Sequence, residues 1–277
     1  MDIALILGIV GAFGALVAML TLEGQNVTAI LLPAPMIMVL GATIAVSFAS
    51  STIPDVLRAF RTIPAAFKGK TVKPADAIET LVGIAEKARR EGLLSLESDA
   101  AEASDPFLKV ALQNVADGAD EEELRTVLDD QIALHERAGK AAAKWFKTAG
   151  GYAPTIGIIG TVVSLTHVLS NLSSPDKLGP LIASAFIATL WGLVSANFIW
   201  LPLGDRIDRL TDIEIERMQL VVEAVLAIQA GAGPHLLAER LRAMTPQTPK
   251  REARAKDRTG DDDDPQSGAE LELQDAA

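Results

Sequence analysis

The sequence predicts an all-α integral membrane protein with four transmembrane helices, a helical cytoplasmic domain between spans two and three, and a helical cytoplasmic tail. The chain is 49% hydrophobic with positive mean hydropathy, yet its net charge is −11, so apolar and charged residues must be segregated. Four apolar runs, at about residues 3–21, 30–53, 151–172 and 180–203, each approach the roughly 20 residues that cross a bilayer. Buried soluble helices explain one such run better than four.

Residues 1–53 are expected to form a hairpin of transmembrane helices 1 and 2. The first run makes a poor signal peptide, because Asp2 replaces the basic start and no small-residue cleavage pattern precedes the second run. Gly8, Gly11 and Gly14 give the first span a stripe suited to close helix contact. Both spans are otherwise more apolar than spans three and four and better suited to lipid. This difference predicts that spans one and two form an outer pair and spans three and four an inner pair.

Basic residues near the span ends predict the orientation. They follow span two, precede span three and follow span four: Arg58, Arg61, Lys68, Lys70, Lys73; Arg137, Lys140, Lys144, Lys147; Arg206, Arg209. By the positive-inside rule both termini and the middle segment are cytoplasmic, and the loops near Gly24 and Ser174 face outward. We therefore expect a multi-pass protein of the bacterial inner (plasma) membrane. The absence of cysteine fits a chain with little extracytoplasmic mass.

The middle segment, residues 54–149, is predicted to be a helical cytoplasmic domain. Pro74 and Gly92 mark the start and end of one helix, and Asp105 caps the start of another. Asp120, followed by three glutamates, begins a long helix that runs on toward span three. Such a helix could transmit movement to the membrane, although a plain continuous helix is an equally good interpretation.

Residues 150–203 hold transmembrane helices 3 and 4, the expected ion-path pair. Small residues suit close packing at Gly157 and Thr161 and at Ala188, Gly192 and Ala196. Hydroxyl and amide groups could take the place of an ion's hydration water, although any single one can simply bond to its own helix. These groups belong to Thr155, Thr161, Ser164, Thr166, Ser184, Thr189, Ser195 and Asn197. Neither span contains a carboxylate, and His167, near the outer end, suits packing better than proton relay. An ion-conducting role would need an acid from another chain.

Residues 204–244 predict an amphipathic cytoplasmic helix that packs on the middle segment. Residues 245–277 predict a disordered, solvated tail, because they combine basic and acidic runs with almost nothing to bury. The basic part of this tail could touch membrane lipid, but the neighbouring acidic run favours solvation. We expect no nucleic-acid partner.

Three sequence motifs resemble the stator branch of the MotA/TolQ/ExbB proton-channel family. Residues 185–192 (AFIATLWG), with Pro202 ten residues later, resemble its signature. Residues 151–157 (GYAPTIG) resemble its third span, and residues 94–97 (LSLE) part of its cytoplasmic domain. The likeness extends over about residues 1–244 and includes the order of the spans. The TolQ and ExbB branch is less similar, because those proteins begin with one span rather than a hairpin.

The resemblance implies a stator subunit of the bacterial flagellar motor that couples ion flow to torque. Five copies would surround two copies of a MotB-like single-span partner whose membrane Asp carries H+ or Na+, and the cytoplasmic domains would act on the flagellar rotor switch protein. The resemblance also implies that Thr161 and Thr189 line the ion path. It implies that Pro154 and Pro202 couple ion passage to movement. Arg89 and Glu97 match residues that contact the rotor.

Plainer interpretations of these residues stay open. A proline can start or stop a helix passively, Arg89 and Glu97 can be ordinary helix-end charges, and Arg90 has no clear role. Threonine at both 161 and 189 resembles sodium-type relatives, whereas protons are the commoner ion in the family. Other possible functions are a stand-alone transporter, a membrane scaffold, or a relative that energises other machinery. We expect neither an enzyme nor a bound cofactor, since no phosphate loop or metal-ligand cluster is present in the sequence.

Overall fold

A computed structural model of the chain describes residues 4–69 and 74–245, and every regular element within these ranges is helical. The first apolar hairpin consists of α1, a 3-10 turn, α2, a π-helical turn and α3, at Ala4–Leu22, Val27–Ile30, Pro33–Met36, Ile37–Gly41 and Ala42–Ala49. The middle segment contains α4, α5, a 3-10 turn, α6 and α7, at Ile53–Lys68, Pro74–Glu91, Leu93–Ser95, Leu96–Glu102 and Pro106–Ala116. The remainder comprises α8, α9, a second π-helical turn, α10 and α11, at Glu121–Leu169, Pro175–Ser195, Ala196–Trp200, Leu201–Gln229 and Pro234–Ala243.

Three of these helices are long and apolar enough to cross a membrane: α1, α8, and the continuous helix Pro175–Gln229. The helix in the second apolar run is shorter than the sequence predicts. It occupies only Pro33–Ala49, instead of about residues 30–53. Pro33 and Pro35 suit the first turn, where no helix-internal N–H is lost, and Thr52 caps the next helix by accepting from the Asp55 N–H. The 17-residue helix is about 25 Å long, slightly short of the hydrocarbon core.

The helix signals of the middle segment are confirmed. α5 ends at Glu91, and Gly92 takes the left-handed φ of 86° that favours glycine. The Asp105 carboxylate accepts from the N–H groups of Phe107 and Leu108 at the start of α7. At the start of α8, Asp120 accepts from the N–H groups of Glu122 and Glu123.

α8 confirms the predicted continuous helix between the middle segment and span three. It runs for 49 residues without a break, which corresponds to about 73 Å. The expected amphipathic helix after span four is likewise continuous with that span through the second π-helical turn, and ends at Gln229. Gly231, with φ of 74°, turns the chain into α11.

Three groups of buried side chains hold the helices together. The largest, the domain core, joins α5, α6, α7, α11 and the polar ends of α8 and α10 through fully buried leucines, which include Leu81, Leu96, Leu112, Leu128, Leu220 and Leu237. The second joins α1 and α4 to α8 and α10 around Trp145 and Phe146. The third packs Val39 against α9 at Ile187, Ala188 and Trp191. The predicted packing of residues 204–244 on the middle segment is thereby confirmed.

Two expectations from the sequence are not confirmed. Gly8, Gly11 and Gly14 of α1 contact no other helix among the described residues, because a Cβ at each would meet none of their atoms within 4 Å. The predicted disorder of the tail concerns residues 246–277, which lie outside the described residues, as do Met1 to Ile3 and Lys70 to Lys73.

Candidate ion path

α8 and α9 approach each other closely where glycines replace side chains. A Cβ on Gly157 would lie 3.0 Å from the Ala188 carbonyl oxygen and 3.2 Å from the Gly192 Cα. A Cβ on Gly192 would lie 2.8 Å from the Ala153 carbonyl oxygen. Only hydrogen fits at these two positions, so the predicted close packing of spans three and four is confirmed.

Thr161 and Thr189 face each other one helical turn beyond this crossing. Their hydroxyl oxygens are 2.5 Å apart, and either can donate. The Thr161 hydroxyl also lies 3.1 Å from the Gly157 carbonyl and 3.0 Å from the Ala185 carbonyl. A hydroxyl has one proton, so Thr161 can give it to a carbonyl and accept from Thr189. Both side chains are half-buried; the pair is a small polar site between otherwise apolar helices.

The other titratable and hydroxyl groups of these spans lie elsewhere. His167 is exposed in the last turn of α8, where its carbonyl accepts from Ser170 and Asn171. The Thr155 hydroxyl donates to the Tyr152 carbonyl and is exposed. Residues 150–203 contain only Asp176 as a carboxylate, in the first turn of α9. The threonine pair is therefore a hydrogen-bonding site without a proton-accepting acid of its own.

Pro154 and Pro202 lie within long helices rather than at helix ends. Pro154 is inside α8, and Pro202 lies inside the continuous helix Pro175–Gln229, two residues after the π-helical turn Ala196–Trp200. In that turn the Leu201 N–H donates to the Ala196 carbonyl, five residues earlier. Proline cannot donate a backbone hydrogen bond, and π-helical turns accommodate such gaps in the bonding ladder. Neither π-helical turn was predicted from the sequence.

An ionic clamp joins α8 to α10 below the crossing. The Lys147 ammonium lies 2.6 Å from an Asp208 carboxylate oxygen and 3.2 Å from one of Asp205. The hydrogen bond to Asp208 is the main reason that the pKa of Lys147 is raised. From its sequence position, Lys147 was interpreted only as one of the basic residues that precede span three. The signal was present, because Asp205 and Asp208 are three residues apart and so share one helix face.

Trp191 makes a second contact that sequence reasoning missed. Its indole N–H donates to the Ile30 carbonyl at 2.7 Å, and the side chain is buried. This bond ties the turn before α2 to the C-terminal part of α9. The partners are 161 residues apart, so no local pattern could have predicted the bond.

Arg89 and Glu97 are both exposed, at neighbouring ends of α5 and α6. Neither has an ion-pair partner among residues 4–69 and 74–245. Between α5 and α6, Lys87 donates to Ser98 at 2.9 Å and pairs with Asp99 at 3.0 Å, which fixes the two helix ends relative to each other. Leu94, 72% exposed, lies between them in the chain. Arg89 and Glu97 thus lie on two helix ends that the Lys87 contacts fix together, and the exposed Leu94 lies between them in the chain.

Comparisons with known proteins agree along the chain. Residues 99–220 match the model of the MotA/TolQ/ExbB proton channel family, and residues 6–92 match the motility protein A N-terminal model. The chain is 32% identical over 244 residues to motility protein A of Bacillus subtilis (strain 168). The alignment covers 87% of this chain and 90% of that protein.

Two solved structures are similar to this fold. The C. jejuni MotAB structure matches with a TM-score of 0.86 and 28% identity, covering 92% of this chain and all of the matched chain. The flagellar MotAB stator complex from Bacillus subtilis matches with a TM-score of 0.80 and 29% identity, covering 91% of this chain and 97% of the matched one.

Proposed function

This chain belongs to the MotA/TolQ/ExbB proton channel family, and on that premise we propose that it is a stator subunit of the bacterial flagellar motor. In this role it couples ion flow across the inner membrane to torque on the rotor. One observation carries the proposal beyond family membership: Thr161 and Thr189 form a polar site between the apolar segments of α8 and α9, one helical turn from their close crossing.

The stator complex includes a MotB-like partner. We propose that five copies of this chain surround two copies of a single-span protein whose Asp supplies the missing acid. Support comes from the lack of a carboxylate near the threonine pair and from apolar side chains left bare on α8 and α9. Those side chains, more than half exposed, include Ile158, Ile159, Val162, Val163 and Phe186. Bare apolar faces of membrane helices suit lipid or other helices.

We propose four spans: α1, Pro33–Ala49, the second part of α8, and α9 with its π-helical turn. Both chain termini and the domain core then lie in the cytoplasm. The distribution of basic residues near the span ends supports this orientation.

The transported ion, H+ or Na+, passes the threonine pair in this proposal. A hydroxyl pair can share a proton along hydrogen bonds or offer oxygens to a cation. Pro154 and Pro202 are proposed to let the spans bend at their cytoplasmic ends, and Arg89 and Glu97 to meet the rotor switch protein. The missing hydrogen bonds at the prolines and the exposed, unpaired state of the two charges are compatible with these roles.

The decisive experiment measures ion flux with Thr189→Val in membranes that contain this chain and its partner. Valine keeps the shape of threonine but has no hydroxyl, and Thr161 retains two carbonyls as acceptors, so the fold should persist. We expect the flux to fall at least several-fold while the partner still co-purifies. Thr155→Val is the matched control, because that hydroxyl is exposed and bonds only to its own helix.

Equal flux in the two variants would contradict the assignment of Thr189 to the ion path. Flux from this chain without any single-span partner would instead favour a stand-alone transporter. Co-purification should also recover a single-span protein with a membrane Asp at fewer copies than this chain.

A further inference from the structure

A groove lies between α5 and α11 at the point where the described part of the chain ends. It has a volume of about 600 Å³. α5 lines this α5–α11 groove with Glu79, Gly83 and Glu86. Arg242 of α11 and Thr245, which follows that helix, line it as well. Because Thr245 is the last residue that the structure describes, the tail of residues 246–277 begins at this groove.

Two carboxylates without ion-pair partners line the groove. Glu79 and Glu86 are seven residues apart on α5, which places them on the same side of the helix and about 10 Å apart along it. Both side chains are exposed, and neither forms an ion pair within residues 4–69 and 74–245. Arg242 is likewise exposed and unpaired in these ranges. The groove therefore combines two unpaired carboxylates with one unpaired guanidinium.

Gly83 leaves space between the two carboxylates. It lies four residues after Glu79 and three before Glu86, and so on the same face of α5. A Cβ at Gly83 would meet no atom of the described residues within 4 Å, so no contact among them requires a glycine. Glycine is less favourable than alanine inside a helix. The open position suits the close approach of a further segment of chain.

The tail contains a segment whose charge matches the groove. Residues 250–258 carry five basic and two acidic side chains, a net charge of +3. Arg254 is nine residues after Thr245, and an extended chain of that length spans up to about 30 Å. The segment can therefore turn back into the groove from which the tail leaves. Arg254 and Arg258 are four residues apart and can span up to about 14 Å, which is enough to reach both carboxylates.

We propose that residues 250–258 bind back into the α5–α11 groove of their own chain. In this arrangement Arg254 pairs with Glu79. Arg258 pairs with Glu86, two helical turns later. Exposed ion pairs are individually weak, but the tether keeps the segment near the groove at an effective concentration on the order of millimolar. A few weak pairs are then enough for docking, which depends neither on ion conduction nor on the proposed stator function.

The docked tail reaches the proposed rotor contact. Arg89 follows Glu86 by three residues, about 5 Å along α5. The acidic run 261–264 begins three residues after Arg258, and this length of chain spans up to about 10 Å. The run can therefore pair with Arg89, which is exposed and unpaired among the described residues. The docked tail then competes with the rotor for Arg89. This consequence rests on the proposed function, whereas the docking does not.

Disulfide trapping in the full-length chain tests the docking. The chain has no cysteine, so Gly83→Cys combined with Ala255→Cys provides the only two thiols. A disulfide requires their Cα atoms to come within about 7 Å. In neutral detergent a mild oxidant should join the two thiols within one chain, which peptide mass spectrometry detects. Raising the salt concentration from about 0.05 M to about 0.5 M should slow the reaction, because salt screens exposed charges.

Charge removal from the groove provides the decisive comparison. Glu79→Gln combined with Glu86→Gln should slow disulfide formation about four-fold, because two exposed ion pairs contribute about two-fold each. The matched control is Asp129→Asn with Asp130→Asn. It removes the same charge from exposed positions of α8, which contributes none of the described residues that line the groove, and its rate should be unchanged. Equal rates in the two double variants, or a rate that does not respond to salt, would overturn the proposal.

Two other outcomes would identify a different partner for the basic segment, and each would overturn the proposal. A disulfide between copies, seen as a dimer on a non-reducing gel, would assign the segment to the groove of a neighbouring chain. Loss of the disulfide in nanodiscs of phosphatidylglycerol, but not in nanodiscs of phosphatidylcholine, would assign it to the anionic membrane surface.

Neutralising the acidic run separates the docking from its consequence. The combined variant Asp261→Asn, Asp262→Asn, Asp263→Asn and Asp264→Asn should keep the disulfide. It should bind the purified rotor switch protein about two-fold more tightly, the factor typical of one exposed ion pair. Unchanged binding with the disulfide intact would refute only the competition for Arg89. If neither chain bound the switch protein, the proposed function would fail while the docking stood.

Discussion

Gly192→Ala should loosen the helix crossing on which the candidate ion path depends. The added Cβ would lie 2.8 Å from the Ala153 carbonyl oxygen and 3.1 Å from the Gly157 Cα. The second distance is about 0.5 Å short of the optimal separation between carbon atoms. Both obstacles are backbone atoms, so no side-chain rotation relieves the overlap and the two helices must separate.

The size of the effect follows from two opposing terms. Overpacking by one methyl group costs about 1–3 kcal/mol, whereas replacing glycine by alanine inside a helix gains about 0.5–1 kcal/mol. The middle of the two ranges gives a net loss of about 1 kcal/mol. Gly151→Ala on α8 is the control, because a Cβ there would meet no atom of another helix within 4 Å in residues 4–69 and 74–245. That variant should keep only the gain, so the two substitutions should change stability in opposite directions.

Thermal unfolding of the purified chain in detergent measures the difference, and the threonine pair supplies a second readout. Thr189 is one turn from Gly192, so helix separation should also weaken its hydrogen bond to Thr161 and lower ion flux. A Gly192→Ala protein that melts at or above the temperature of Gly151→Ala would show that the crossing is not close-packed, and would refute the reasoning.

Two further predictions concern the helical domain. Arg89→Glu and Glu97→Lys should each lower swimming while leaving assembly intact, since both side chains are exposed and unpaired within the described ranges; normal swimming of both variants in a motility assay would remove the rotor assignment. Burial raises the pKa of Asp105, but the hydrogen bond and charge of Arg217 outweigh it, so the pKa falls below its ordinary 3.8; the resulting stability is present above about pH 3.8 and is lost as the pH falls through the folded pKa. Acid melts should therefore show a steeper loss for the native chain than for Asp105→Asn, and identical slopes would contradict this.

Local signals predicted much of the fold because they act over a few residues. Asp105 and Asp120 cap the helices that follow them, as their position ahead of the helical runs indicates. The close contact of Gly157 with Gly192 was also predictable, since small residues at four-residue spacing leave a groove that only another helix can fill. These features depend on chemistry that is visible in the sequence itself.

Features that depend on distant partners escaped the sequence analysis. The π-helical turn Ala196–Trp200 depends on how the chain before Pro202 adjusts against α8, and its residues show no special composition. Which side of α4 stays exposed also depends on how α8 and α10 pack against that helix. Its apolar side is wide, and only packing shows that Val56 and Ala59 are buried while Leu57 is exposed.

The contacts along α8 restrict where a movement of the spans can occur. On the side of the domain core, a Cβ on Gly204 would lie 3.1 Å from the Ala143 carbonyl oxygen, and Lys147 holds α10 by its ionic clamp. At the crossing, Gly192 is equally tight against α8. α8 and the helix Pro175–Gln229 are thus fixed to each other at two levels, about 18 Å apart along the helix. The irregular turn Ala196–Trp200 lies between these levels, so we expect it to absorb any displacement that begins near the threonine pair before that displacement reaches the domain core.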